Sequence, residues 1–183
     1  MRFDRLAIIA AGAIVASAAA SHAALLGTAT ISGAPIGGGV YHYTVTLNNT
    51  GTTTIGTLWF AWIPGANFMA TVPSSITSPA GWNSQVVGGA GAASILWQAG
   101  SAGSRLAAGN TLTTFAFNST STPDQLAGFA VSSPSNHVTT SFIYSGAAFS
   151  DAGVQLTAAV VPVPSVAALA GLSVASLARR RRA

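Results

Sequence analysis

Apolar and polar residues alternate with period two along most of the chain between residues 24 and 160. Tyr41, Tyr43, Val45 and Leu47 interleave with His42, Thr44 and Thr46. One strand face is therefore apolar, and the other carries hydroxyls and an imidazole. Asn48-Asn49-Thr50-Gly51 follows as turn chemistry. A second strand is predicted from Thr53 to Ile63, with Leu58, Phe60 and Trp62 on one face, Trp59 and Ala61 on the other, and Pro64-Gly65 as its stop. Further strands are predicted over Leu25 to Ile31, Asn67 to Val72, Ser84 to Val87, Ala93 to Gln98, Thr111 to Asn118, Gly128 to Ser132, Val138 to Tyr144 and Val154 to Val160. Turn clusters rich in Gly, Pro, Asn and Ser separate nearly all of them. No helix-period segment lies between any pair, so the pattern predicts an all-β domain, an antiparallel β-sandwich with no internal α-helix.

The segment Tyr41 to Gly51 is similar to the strand and turn of immunoglobulin-like modules repeated in bacterial surface proteins. Jelly-roll-like and cohesin-like sandwiches produce the same alternation, so the resemblance bears on fold class alone.

The two ends break the alternation. Met1-Arg2-Phe3-Asp4-Arg5 leads into an apolar run from Leu6 to Ala20 and then Ser21-His22-Ala23. Basic start, apolar middle and small residues at the positions a signal peptidase inspects make residues 1–23 a secretory signal helix cut between Ala23 and Ala24. With no cysteine in the chain, neither a lipid attachment at the cut nor a disulfide in the exported domain is available.

At the other end, Val161-Pro162-Val163-Pro164-Ser165 precedes an uncharged run from Val166 to Ala178 and the arginines Arg179, Arg180, Arg181 and Arg182. A helix from Ser165 to Ala178 extends about 21 Å at 1.5 Å per residue, against a hydrocarbon core of about 30 Å. Bilayer thinning and snorkelling arginines make up such a mismatch. The arginines stay cytoplasmic and the domain outside. This short transmembrane helix is predicted to hold the chain temporarily.

The order of prolines, short apolar helix and terminal arginines in residues 161–183 resembles the PEP-CTERM sorting signal. Val163 stands where that motif has Glu, making a VPVP variant, and Gly171 falls inside the helix as glycines do in such tails. The resemblance implies a Gram-negative bacterium that makes extracellular polymeric substance. It also implies an exosortase, a membrane-embedded cysteine transpeptidase, as processing partner beside the signal peptidase. The expected course is an inner-membrane intermediate, then the cell surface or extracellular matrix.

Charge sharpens this. The 183 residues carry a formal net charge of +4, but of the seven arginines only Arg105 lies in the middle, opposed by Asp124 and Asp151. The domain over residues 24–160 is close to neutral and slightly acidic. A chain with no basic stripe does not neutralise phosphates, which excludes nucleic acid as a partner. Lys and Glu are absent and charged residues make up 5%. Ser, Thr and Asn take their place on the predicted outward faces, and so little like-charge repulsion suits a crowded matrix.

The inventory for catalysis is His42, His137, Asp124, Asp151, Arg105, Tyr41, Tyr43 and Tyr144. There is no HxH or HExxH for a metal, no Gly-x-Ser-x-Gly elbow and no loop with clustered carboxylates. Gly88 to Ala93 opens a strand, not a helix, so it lacks the helix N-terminus of a phosphate loop. The reading is a non-enzymatic protein without cofactor or metal. Its alternative is a carbohydrate-binding or adhesive module of the exopolysaccharide or biofilm matrix, with Trp59 and Trp82 as the exposed indoles that contact sugar, and Trp62 and Trp97 as packing residues.

Overall fold

The computed structural model describes residues 23–162; the predicted signal helix up to residue 22 and the tail from Val163, with Pro164, Ser165 and Arg179 to Arg182, lie outside the described residues. In chain order the strands are β1 (Gly27–Gly37), β2 (Val40–Asn49), β3 (Thr57–Phe60), β4 (Trp62–Ile63), β5 (Ala66–Asn67) and β6 (Ser74–Thr77). Then come β7 (Trp82–Gly89), β8 (Ala92–Ala99), β9 (Thr111–Ser119), β10 (Thr140–Tyr144), β11 (Val154–Thr157) and β12 (Ala159–Val161). One five-stranded sheet has the order β12-β1-β2-β9-β6 and a second the order β11-β10-β3-β8-β7, with β4-β5 as a separate two-stranded piece. The all-β expectation holds. The sheets are antiparallel except where β12 joins β1 in parallel, Thr30 opposite Ala159 and Ser32 opposite Val161.

The inward rows of the two sheets meet in one core. Tyr43, Val45 and Leu47 are fully buried while His42, Thr44 and Thr46 are not, as the alternation requires. Phe117 of the first sheet packs on Phe60 of the second with ring centroids 5.3 Å apart, and Phe115 packs on Trp97 at 5.2 Å. Each such side chain contributes roughly 1.5–3 kcal/mol of burial. Trp97 is fully buried and donates from Nε1 to the Thr77 carbonyl at 3.1 Å.

The sandwich has two distinguishable ends. At the hairpin end lie the Gly37-Gly38-Gly39 turn, where all three residues have positive φ, and the close of β12. The β9 exit lies there too, since Ser119 pairs with Tyr41. At the opposite end lie the Asn49 turn, the bridge between Ile55 and Leu106, and the loop after Tyr144.

Several elements differ from the sequence expectation, among them the strand predicted over Asn67 to Val72, where β5 ends at Asn67 and the rest makes a single bridge, from Met69 to Ala93. A short helix α1 (Pro123–Ala127) stands where none was expected. It is nucleated by a capping box, in which Thr122 Oγ1 accepts the Gln125 N–H at 3.2 Å and Gln125 Oε1 accepts the Thr122 N–H at 2.8 Å, with Pro123 in the first turn. The strand predicted over Gly128 to Ser132 is absent, its backbone making only a single bridge from Phe129 to His137. The unpredicted β6 is an edge strand against β9. Val161, expected one residue beyond the last strand, closes β12.

Candidate functional site

The long strand predicted from Thr53 to Ile63 is interrupted at Ala61, whose φ of 56° is left-handed. Alternation resets at that residue. Leu58 and Phe60 face the core and Ala61 joins them, fully buried. Trp62, expected beside Leu58 and Phe60, instead turns to the outer face of the second sheet and meets Trp59 there. The two indoles stack with centroids 3.8 Å apart and planes 5° from parallel.

The sheet register continues this outer face on both sides. Gln85 pairs with Leu96, Leu96 with Trp59, Trp59 with Phe142, and Phe142 with Gln155. Directly paired residues share a face, so the five side chains form one row, apolar in the middle with a glutamine at each end. Phe149, in the loop after β10, lies edge-on to both Trp59 and Trp62 with centroids 5.7 Å away. Its φ of 64° places it in the left-handed region, and it is 66% exposed. Trp59 Nε1 donates to Ser94 Oγ at 2.9 Å, and Ser94 Oγ donates to Asn67 Oδ1 at 2.7 Å.

This geometry corrects the assignment of the exposed indoles. Trp59 is 8% exposed because Trp62 and Phe149 cover it. Trp82 is 6% exposed, placed not in a loop but at the start of β7, edge-on to Phe115 at 5.3 Å, with its Nε1 donating to the Ser104 carbonyl at 2.8 Å. Neither presents an open ring face. On this outer face the accessible aromatic surface belongs to Phe149 and half-buried Phe142, flanked by exposed Gln85 and Gln155. Phe142 was legible as the partner of Tyr144 in an alternating strand, whereas nothing in the sequence marks the loop residue Phe149.

The ionisable residues are dispersed. Asp124 sits in the first turn of α1 at the hairpin end. Asp151 lies at the opposite end, accepting from the Ser145 N–H and the Gly153 N–H, each at 2.8 Å, and from the Ser145 hydroxyl. Burial pulls its carboxyl upward, but these three donors outweigh it and hold the pKa below the ordinary Asp value. Burial, then the Asp151 charge, raises the Tyr144 phenol. Tyr43, fully buried, donates to the Ser121 carbonyl at 2.5 Å, and its pKa is raised by burial, then by Tyr41 and Asp124. His42 pairs with Asn118 at 2.8 Å, and His137 stacks on Phe129. Among the described residues no group of three or more His, Asp or Glu is placed to hold a metal ion, and no helix is long and apolar enough to cross a membrane.

No family model and no curated protein matches the chain. Among solved structures it is similar to a GH20 exo-β-N-acetylglucosaminidase from Vibrio harveyi in complex with N-acetylglucosamine, at 15% identity and a TM-score of 0.45, covering 76% of this chain and 19% of that one. An inactive mutant of the same enzyme matches at 15% identity and a TM-score of 0.43, covering 76% and 18%. The chain thus spans about a fifth of the length of these proteins. Likeness of this degree identifies neither a fold family nor an activity.

Proposed function

We propose that the chain is an exported, non-enzymatic protein of the cell surface or extracellular matrix: a β-sandwich cargo freed from its signal after Ala23 and sorted through a PEP-CTERM-type tail by an exosortase. One observation carries this reading. Among the described residues the first backbone hydrogen bonds are made by Ala24, beside the expected signal cut, and the last strand closes at Val161, the first residue of the proline motif. The Ala24 N–H donates to Thr52 Oγ1 at 2.8 Å, and its carbonyl accepts the N–H groups of Thr52 and Thr53. The apolar helix then serves to hold the substrate at membrane depth while the arginines orient it, and the peptide bond near Pro162-Val163-Pro164 is cut by another protein. The placement of Asp124 and Asp151 at opposite ends also supports a non-catalytic role, because paired acid and base groups must flank one bond.

Within the sandwich class we read the topology as jelly-roll-like, cohesin-like forms included. In the immunoglobulin order the fourth and fifth strands neighbour each other within one sheet, whereas here, with the separate β4–β5 pair set aside, the fourth and fifth strands are β6 and β7 and lie in different sheets. Mass spectrometry of the protein from expressing cells tests the functional reading. The expected N-terminus is Ala24 and the expected C-terminus lies upstream of Arg179; a chain still running from Met1 to Ala183 in cells with active exosortase overturns it.

A second reading, a sugar-binding face, is favoured by the row from Gln85 to Gln155. Phenyl faces take the apolar side of a pyranose, and amide groups both donate to and accept from its hydroxyls. Phe149→Ala and Phe142→Ala are then expected to release the domain from matrix polysaccharide. Retention equal to that of the unaltered protein eliminates this reading.

A further inference from the structure

Seven large hydrophobic side chains are strongly exposed among the described residues, and five of them gather at the hairpin end: Ile36, Val72, Phe129, Val131 and Val161. The topology places them there. Ile36 lies in the bulge just before the β1–β2 turn. Val72 precedes β6, whose Ser74 pairs with Asn118 near the close of β9. Phe129 and Val131 line a cleft of about 440 Å³, floored by Phe68 and Leu126 beside Thr71 and Ser121. Val131 is 94% exposed. Of the remaining two, Leu26 lies at the opposite end and Phe149 over the outer face of the second sheet.

The described chain ends toward this same end, because β12 runs parallel to β1 and toward its turn. Between Val161 and the apolar run from Val166 stand only Pro162, Val163, Pro164 and Ser165. Four residues reach no further than about 14 Å. β1 itself continues four residues past Ser32, the partner of Val161, to Ile36, which is about 13 Å at 3.3 Å per residue. The tether and the protruding hairpin are therefore of equal reach. A tail inserted in a bilayer brings Ile36 level with the lipid surface and leaves the domain no room to turn its other end toward it.

We propose that the hairpin end is a membrane-seating surface, with Ile36, Phe129 and Val131 entering the boundary between headgroups and acyl chains of the bilayer that holds the tail. This rests on the reading of the tail as an anchor. The contact is apolar rather than electrostatic. Arg105, adjacent to the Ile55–Leu106 bridge, belongs to the opposite end, and the charged side chain near the seat is the carboxylate of Asp124. Seating consequently needs no anionic lipid and survives salt.

The absence of cysteine makes the test clean. Val131→Cys, Ile36→Cys and, as control at the opposite end, Asn110→Cys are each labelled with an environment-sensitive fluorophore in the full chain isolated from membranes of expressing cells. The chain is reconstituted in phosphatidylcholine vesicles containing shallow spin-labelled lipid. Labels at residues 131 and 36 are expected to be quenched at least threefold more than the label at residue 110, unchanged by added phosphatidylglycerol or by 0.5 M salt, as expected for an apolar contact. Equal quenching at all three positions, with the protein floating with the vesicles, overturns the seating and leaves the anchor intact. Failure to float overturns both. Quenching that depends on anionic lipid, or label-to-label contact between copies at residue 131, also overturns it.

Discussion

The indole of Trp62 lies flat on that of Trp59, 3.8 Å between centroids, on a sheet face that simple alternation would not give to both. Replacing either by Ala removes a large buried ring and is expected to cost about 3–5 kcal/mol. The stacking makes the two losses non-additive, with a coupling of about 1 kcal/mol. A double-mutant cycle followed by urea unfolding reads this value, and a coupling near zero contradicts the packing described.

Ala61 makes that arrangement possible through its left-handed backbone. A β-branched side chain is poorly tolerated there, and the site is fully buried. Ala61→Val is expected to lower stability by about 2 kcal/mol or more, measured as a drop in the denaturation midpoint with an unchanged slope.

Tyr43 supplies a hydroxyl to the Ser121 carbonyl inside the core. Tyr43→Phe leaves that carbonyl short of a partner and is expected to cost about 1–2 kcal/mol. The folded phenol has a raised pKa, so the folded state keeps a proton that the unfolded state loses. Stability is fully present below the unfolded tyrosine value of about 10 and falls as the pH rises above it. Thermal unfolding between pH 8 and 11 is expected to show a shallower alkaline decline in Tyr43→Phe.

Asp151 gives the opposite limb. Its folded pKa lies below the ordinary value, so its contribution is present above about pH 4 and is lost as the pH falls toward the depressed folded value. Asp151→Asn is expected to flatten the acid limb of the stability curve while leaving the neutral plateau lower. An acid limb identical to that of the unaltered protein rules this out.

At the expected signal cut, Gly51 lies against the Ala24 carbonyl so closely that an added methyl would meet it. Gly51→Ala is expected to push the Ala24–Leu26 segment off the Asn49 turn. Hydrogen exchange at the N–H groups of Thr52 and Thr53, which both bond to Ala24, is expected to speed up at least tenfold.

The first sheet was largely legible because its inner row, Tyr43, Val45 and Leu47, obeys period two without interruption. The outer face of the second sheet was not. Its key event is a single residue, Ala61, whose φ carries no compositional signal, and it moves Trp62 across the sheet. Trp59 was rightly set on the face opposite Leu58 and Phe60, but exposure did not follow, since the cover over it comes from Trp62 and a loop. Helix α1 was announced by Thr122-Pro123-Asp124-Gln125, a capping sequence with too little apolar periodicity behind it to stand out. Strand β6, Ser74 to Thr77, offers a lone half-buried apolar residue, Ile76, and an edge position imposes no pattern.

The parallel seam between β1 and β12 also decides how the domain bears force. A pull between Ala24 and Pro162 drags the first and last strands lengthwise past each other, so their bonds are loaded together in shear instead of parting one at a time. A pull applied between these two residues is thus met along the length of the strands.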